Sequence, residues 1–544
     1  MKYLFFNFFS ILFILNGFAQ KDLPTDFLSS EFHKQRRDLL RTKMTNNSVA
    51  VFFANAVRNR ANDVDYVYHQ DPNFYYLTGY REPNAVLIIF SDNQTNKDGK
   101  SFNEILYVQE KNIQREQWTG VRLGTEGAKE QLGFDIALNG KEFIDSGIDF
   151  SQFNKILFNN FQNDYRDSRR NDADLFKLIE GFKNQVNYDE SILPHPMKDR
   201  LYNLIKATEI ENSASVAQNI GRALRFYPEL KNDEVIVGYA NATDDKLRLE
   251  LKQQAIKIDK EEDKTSLDPN MLSGFMAELR QEKTKEEIVL LSKAIRISAM
   301  GQIEIMKAMN PEMSEMEVQG IHEFIYKKYG SEYEGYPSIV GAGNNGCIIH
   351  YIENTKMTLN DDLVLMDLGA EYHGYTADVT RTIPANGKFS PEQKIIYDLV
   401  YEAQEAGIAA SIVGNKFRDP DAASRDVINK GLVKLGIIKS EQEARKYFPH
   451  GTSHYLGLDV HDPGTYEAFI PNMVITVEPG IYIPEGSPCD KKWWGIAVRI
   501  EDDILITEKG PVNLSIEAPR KSSDIEALMA QKSVLDDFKL PKLD

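Results

Sequence analysis

Residues 363–382 read LVLMDLGAEYHGYTADVTRT, two apolar-rich runs flanking a short turn at Tyr372-His373-Gly374. That pattern predicts a β-hairpin. Asp367 and Asp378 stand almost symmetrically about the turn, so they should lie on neighbouring strands and project to the same side. Two carboxylates held so close repel each other unless a cation lies between them.

The same device recurs downstream. Glu478 ends the strand-like run Met473–Val477, and Glu501 ends Ile496–Ile500. Each glutamate interrupts an apolar run, where an unpaired charge is costly. Between them, His450-Gly-Thr-Ser-His454 spaces two histidines four apart, and His461 follows. On a helix that spacing is half of a zinc-protease motif, but Gly451 stands where its glutamate belongs, so the pair alone is a weak signal. Four carboxylates and one of the histidines make an oxygen-rich shell suited to Mn²⁺ and similar ions. Four carboxylates can also bridge two ions, between which a hydroxide is available to attack a peptide carbonyl.

Gly341-Ala-Gly343-Asn-Asn-Gly346 matches the dinucleotide fingerprint, which requires a helix start behind it. Cys347–Ile352 (CIIHYI) follows and reads as a strand, so the glycines are predicted to form a turn that delivers His350.

Around these segments, 544 residues exceed one hydrophobic core and imply two or three domains. A net charge of -18 excludes a phosphate-binding surface of clustered Lys and Arg, and hence nucleic acid as a partner. Lys2 followed by the apolar run Tyr3–Leu15 and Gly17-Phe18-Ala19 reads as a signal peptide, 1–19, with a mature start at Gln20. Export to the periplasm or beyond is therefore expected, with no membrane span after cleavage. Cys347 and Cys489 are too few for a disulfide framework or a cysteine-ligated metal.

From 20 to 190 the pattern predicts a small α/β domain. Its helix runs Ser29–Met44, and its strands lie at Ser48–Ala54, Ala85–Phe90 and Glu104–Gln109. Residues 191–270 are a charged helical insertion or linker whose charges read as a solvated face. From 271 to 530, Thr284–Glu287 and Ser390–Gln393 are capping boxes opening helices, with strand pairs between and after them. That region reads as helices on a largely antiparallel sheet, and 531–544 is a tail.

With these segments in hand, the chain resembles the aminopeptidase P family of metallopeptidases. The matching stretches are IVGAGNNGCIIHYIEN (339–354), VLMDLGAEYHGYTADVTRTIPANGKF (364–389), HGTSHYLGLDVHDPG (450–464), VITVEPGIYI (474–483) and VRIEDDILIT (498–507). QDPNFYYLTGYREPNAVLIIF (70–90) and EQWTGVRLG (116–124) resemble the family's N-terminal domain. The resemblance implies an α/β N-terminal creatinase-type domain and an α+β C-terminal pita-bread domain with a largely antiparallel sheet. It implies five metal ligands at Asp367, Asp378, His454, Glu478 and Glu501, holding two Mn²⁺, with Zn²⁺ or Co²⁺ as substitutes. His350 and His461 fall near the substrate, Glu478 also handles a proton, and Arg499 and His450 fall beside the ligands.

The implied activity is release of the first residue from peptides with proline second, by a homo-oligomer. A prolidase, cleaving Xaa-Pro dipeptides, shares the ligands, and a pita-bread module can also serve as a non-enzymatic peptide binder. Such binding modules lose ligands that are all present here.

Overall fold

The computed structural model describes residues 25–162, 164–168, 171–257 and 265–537. The expected leader, 258–264 and 538–544 lie outside them. Among the described residues, no helix is long and apolar enough to cross a membrane.

Near the N-terminus, Ser48–Phe53 (SVAVFF) is a strand because its β-branched and aromatic residues suit a pleated surface that is almost wholly buried. It pairs antiparallel with Val86–Thr95 and parallel with Lys155–Phe158. Ser101–Val108 and Ala137–Asn139 extend one side of this mixed sheet, and Leu267–Asp268 closes the other. The helix Ser30–Lys43 starts where Ser29 Oγ accepts the Phe32 amide at 3.1 Å.

The segment before Leu267 is an insertion with a core of its own. Helices Pro196–Ala207, Ser213–Phe226, Glu234–Asn241 and Asp245–Lys257 bury Leu201, Ile205, Ile220, Ile236 and Leu251 together. In the last of these helices Leu251 and Ala255 face that core, and the charged side chains lie mostly outside.

The C-terminal half opens its first long helix at Thr284. Its hydroxyl accepts the Glu287 amide at 3.3 Å and the Glu287 carboxylate accepts the Thr284 amide at 2.8 Å, the predicted capping box. The helix that follows, Lys285–Ala308, lies along the strands of the 363–384 hairpin. From it Gln302 Nε2 donates to the carbonyls of Met366 at 3.2 Å and Val379 at 2.9 Å, which buttresses both strands next to the aspartates. Every sheet in this half is antiparallel, as expected. Ile339–Ala342, Leu363–Leu368 and Val379–Pro384 form one. Val474–Val477, Asp502–Thr507 and Gly510–Asn513 form another. Gly480–Ile483 pairs with Ile496–Arg499. The two halves share a core in which Tyr76 and Leu77 meet Leu272, Leu291, Tyr375 and Leu456.

One expectation is corrected. Cys347–Ile352 is not a strand: Gly343–Cys347 is a single 3₁₀ turn and residues to Ile352 are irregular. The chain doubles back here, because Gly341 and Gly346 approach so closely that a methyl on Gly341 would lie 2.8 Å from the Gly346 Cα. No straight segment is left to join the sheet, and Ile348 and Ile352 stay exposed. The glycines do form a turn leading to His350, and no α-helix starts behind them for a pyrophosphate.

Candidate active site

The hairpin keeps one register from Leu363 to its tip, where His373 and Gly374 take positive φ of 51° and 87° in a tight turn. Asp367 lies opposite Thr380, so Asp378, two residues before Thr380, is its diagonal neighbour on the same face. Their juxtaposition is direct: the Tyr336 hydroxyl reaches Asp367 Oδ1 and Asp378 Oδ1 at 2.5 Å each. Gly369 makes room for this phenol, since a methyl there would lie 2.6 Å from the Tyr336 ring.

The second strand set is stitched to the first beside the aspartates. Glu501 N–H donates to the Thr380 carbonyl at 3.1 Å, and Thr380 Oγ1 donates to Glu501 Oε2 at 2.7 Å. Arg499 donates to Asp367 Oδ2 at 2.5 Å and to the Tyr482 hydroxyl at 2.8 Å.

The histidine pair is not on a helix. Residues 452–456 run extended beside Val474–Val477, with Glu478 N–H on the Thr452 carbonyl at 2.9 Å and Thr476 N–H on the His454 carbonyl at 3.0 Å. This pairing sets His454 Nε2 3.5 Å from Glu478 Oε1 and 3.4 Å from Asp378 Oδ2. His454 Nδ1 faces the Tyr455 carbonyl at 3.0 Å, which assigns one proton to Nδ1; without a metal Nε2 carries the other toward Asp378 and Glu478, and a cation bound there would take that proton's place.

His450 stands one step outside, with Nε2 2.7 Å from the Tyr482 hydroxyl and Nδ1 3.6 Å from Glu478 Oε2. The His461 ring meets His454 edge-on, with centroids 4.5 Å apart. Its loop is clamped by the fully buried Asp462, which pairs with Lys283 at 2.8 Å and with Arg280. His350 is exposed and near enough to act on His461 electrostatically.

The electrostatics of these groups is that of a cation site. Burial, reinforced by Asp378 and Asp367, pushes the Glu478 carboxyl up to about 7, against the pull of His454 and Arg499. Burial and the carboxylates of Asp378, Glu478 and Asp367 hold Glu501 well above its ordinary range. Burial also raises Asp367 despite Arg499, whereas at Asp378 burial, the largest single influence, is outweighed by the charge and bond of His454 together with the Tyr336 hydroxyl, and the carboxyl is lowered. Burial alone would lower His454, but Asp378 and Glu478 push it up to about 9. Ligand atoms of Asp378, His454 and Glu501 lie within 4.8 Å of one another, a span that one ion can bridge. Glu478 adjoins this group through His454, and Asp367 through Tyr336. The donor set, four carboxylates and one imidazole, fits hard divalent ions.

Eight of the nine site residues expected from the sequence therefore converge, as ligand candidates or as their neighbours, and His350 stands exposed on its loop, linked to them through its influence on His461. Sequence reasoning missed Tyr336, Thr380 and Tyr482. Tyr336 precedes Pro337 in a stretch without periodicity, and nothing local marks a hydroxyl that meets two aspartates over thirty residues away.

Known proteins bear on this architecture in three ways. The model of metallopeptidase family M24 matches residues 289–508, and that of the aminopeptidase P N-terminal domain matches 33–148. The Xaa-Pro aminopeptidase of Escherichia coli strain K12 is 33% identical, over 92% of this chain and 98% of its own length. Among solved structures, aminopeptidase PepP of Pseudomonas aeruginosa superposes with a TM-score of 0.71 at 29% identity, covering 93% of this chain and 98% of that one. E. coli aminopeptidase P with the inhibitor Pro-Leu gives 0.70 at 30% identity, covering 92% and 98%. Fold and site together define a metal-dependent hydrolase of the pita-bread class with a creatinase-type N-terminal domain. Within that class, the chain belongs to the Xaa-Pro aminopeptidase family.

Proposed function

We propose that this chain holds two Mn²⁺ ions and uses them to release the N-terminal residue from peptides whose second residue is proline. The reading rests on one observation above the others, the convergence of Asp367, Asp378, His454, Glu478 and Glu501 in one partly buried cluster. An oxygen-rich shell supports Mn²⁺, with Zn²⁺ or Co²⁺ as substitutes. Bound divalent ions supply Lewis acidity and make water a better nucleophile near neutral pH.

The chain's own residues supply the rest. Arg499 and Tyr336 hold Asp367 in orientation, and Thr380 holds Glu501. Glu478, at the edge of the cluster beside His454 and His450, is placed to accept a proton at a carboxylate oxygen and return it to the departing amine. His461 and His350 lie on loops at the edge of the cluster, where they can steady the scissile carbonyl as charge develops on its oxygen. The acidic cluster also gives the substrate's free α-amino group a counter-charge, which limits cleavage to the first residue.

His461→Ala is expected to lower kcat by more than about tenfold while the metal content stays unchanged. Steady-state kinetics beside elemental analysis checks this, and an unaltered kcat removes His461 from the mechanism.

The proposal extends to export, supported by the 1–19 leader, and to a homo-oligomer. The latter is supported by Ile113, Trp118 and Val121, which a lone chain leaves 87%, 88% and 79% exposed.

Hydrolysis of Arg-Pro-Pro by metal-stripped protein, with and without Mn²⁺, beside the dipeptide Ala-Pro, tests the central claim. Mn²⁺-dependent release of Arg with little action on the dipeptide is the expected result. Activity confined to Ala-Pro would mean a prolidase, and none on either substrate would mean a peptide-binding module.

A further inference from the structure

Glu315 opens the helix Glu315–Lys328, and its side chain is completely buried. A buried carboxylate needs partners, and here they all come from the segment that carries His350. Oε1 accepts the Ala342 amide at 2.8 Å and Asn345 Nδ2 at 3.0 Å. Oε2 accepts the Tyr351 hydroxyl at 2.9 Å and the Lys356 amide at 2.8 Å. Two of these donors precede His350 and two follow it. The backbone closes the same ring, since Glu315 N–H donates to the Lys356 carbonyl at 3.0 Å. The four side-chain contacts are with neutral donors, and the charge is balanced by them and by the positive end of the helix.

Residues 343–356 contain one 3₁₀ turn and otherwise lack regular structure. A loop of this kind holds an exposed side chain in place only as well as its anchors allow. We infer that Glu315 is a positioning residue: it fixes the irregular 342–356 loop so that His350 is presented to the site. This rests on the functional reading above, in which His350 meets the substrate.

Glu315→Gln tests it, because the amide keeps the shape but turns an N–H₂ toward two of the four donors. In the full-length, Mn²⁺-loaded protein, kcat on Arg-Pro-Pro should fall about tenfold with full metal content. In a His350→Ala background the same substitution should change kcat less than about twofold, because the residue it positions is gone. Carbethoxylation of His350 by diethyl pyrocarbonate, followed by peptide mapping, should also change in rate by about threefold or more once the loop is loosened. Glu317→Ala, which removes the exposed acid of the same helix's capping box, should lower Tm but leave kcat as it was.

An unchanged kcat in Glu315→Gln would overturn the inference. So would a loss that multiplies fully with that of His350→Ala, or an equal loss in Glu317→Ala. Should Glu315→Gln fail to accumulate, Tyr351→Phe removes one of the four donors. It should give a smaller loss, about threefold, again absent without His350. A wild-type chain inactive on Arg-Pro-Pro sinks the functional reading instead. The carbethoxylation rate then still decides this point, an unaltered rate counting against it.

Discussion

Asp378→Asn is expected to reduce kcat/KM on an Xaa-Pro peptide by at least about a thousandfold, because it removes a ligand charge and replaces one of the two ligand oxygens by an amide N–H₂. The fold should survive. Asp378 is held in the hairpin by its backbone, whose N–H donates to Asp503 Oδ2 at 3.1 Å, and an asparagine keeps that bond. Its side-chain oxygen can still accept the Tyr336 hydroxyl, and its new N–H₂ can donate to His454 Nε2. What cannot be replaced is the negative charge. Asp378 is the one carboxylate of the four whose pKa is lowered, so it is the ligand most firmly ionised before any metal arrives. Elemental analysis should find sub-stoichiometric metal beside a wild-type circular dichroism spectrum. Near-normal turnover by the variant would mean that the ions, if any, sit elsewhere.

Stripping the metal should make stability fall as pH rises, and Mn²⁺ should abolish that dependence. The sign follows from the shifts. Glu478 is raised from 4.5 to about 7 in the folded chain, so folding favours its protonated form. That stability is complete below the unfolded value and is lost as pH climbs through the folded one. His454, raised from 6.5 to about 9, acts in the same direction over the next window. Asp378, lowered, acts oppositely but only in acid, below 3.8. The contribution of the metal-free site to stability should therefore fall between about pH 5 and 9 as its protons are lost and like charges accumulate. Divalent ions replace the lost protons and bind more tightly as pH rises, so the gap between loaded and stripped protein widens. Thermal melts at pH 5, 7 and 9 with chelator or with Mn²⁺ check this. A chelated protein whose Tm climbs over that range would contradict the assignment of a shared cation site.

How much of this was legible in the sequence varies with the range of the interactions involved. The hairpin was, since alternation, apolar runs and a His-Gly turn are local signals, and the parity of Asp367 and Asp378 follows once the strands pair. The capping boxes at Thr284 and Ser390 were legible for the same reason, each closing within four residues. The five ligand candidates could be picked out because charges that end apolar runs are conspicuous, and because matched stretches aligned with a family's motif. The strand expected at Cys347–Ile352 failed because β-branched composition does not report that two glycines fold the chain back on itself just before it.

Composition and local pattern thus determined the two-part architecture, the hairpin that carries two aspartates and the chemical class of the site. Only the tertiary structure decided which hydroxyls and guanidinium orient the ligands. It also decided that His454 reaches them from an extended segment rather than a helix, and that Glu315 anchors the loop of His350. The reason is one of distance along the chain. A cap, a turn or a strand face is set by neighbours a few residues apart, and its energetics are written in adjacent letters. Tyr336 on Asp378, Arg499 on Asp367 and Thr380 on Glu501 join residues 42, 132 and 121 positions apart, and such contacts exist only once packed sheets bring them together.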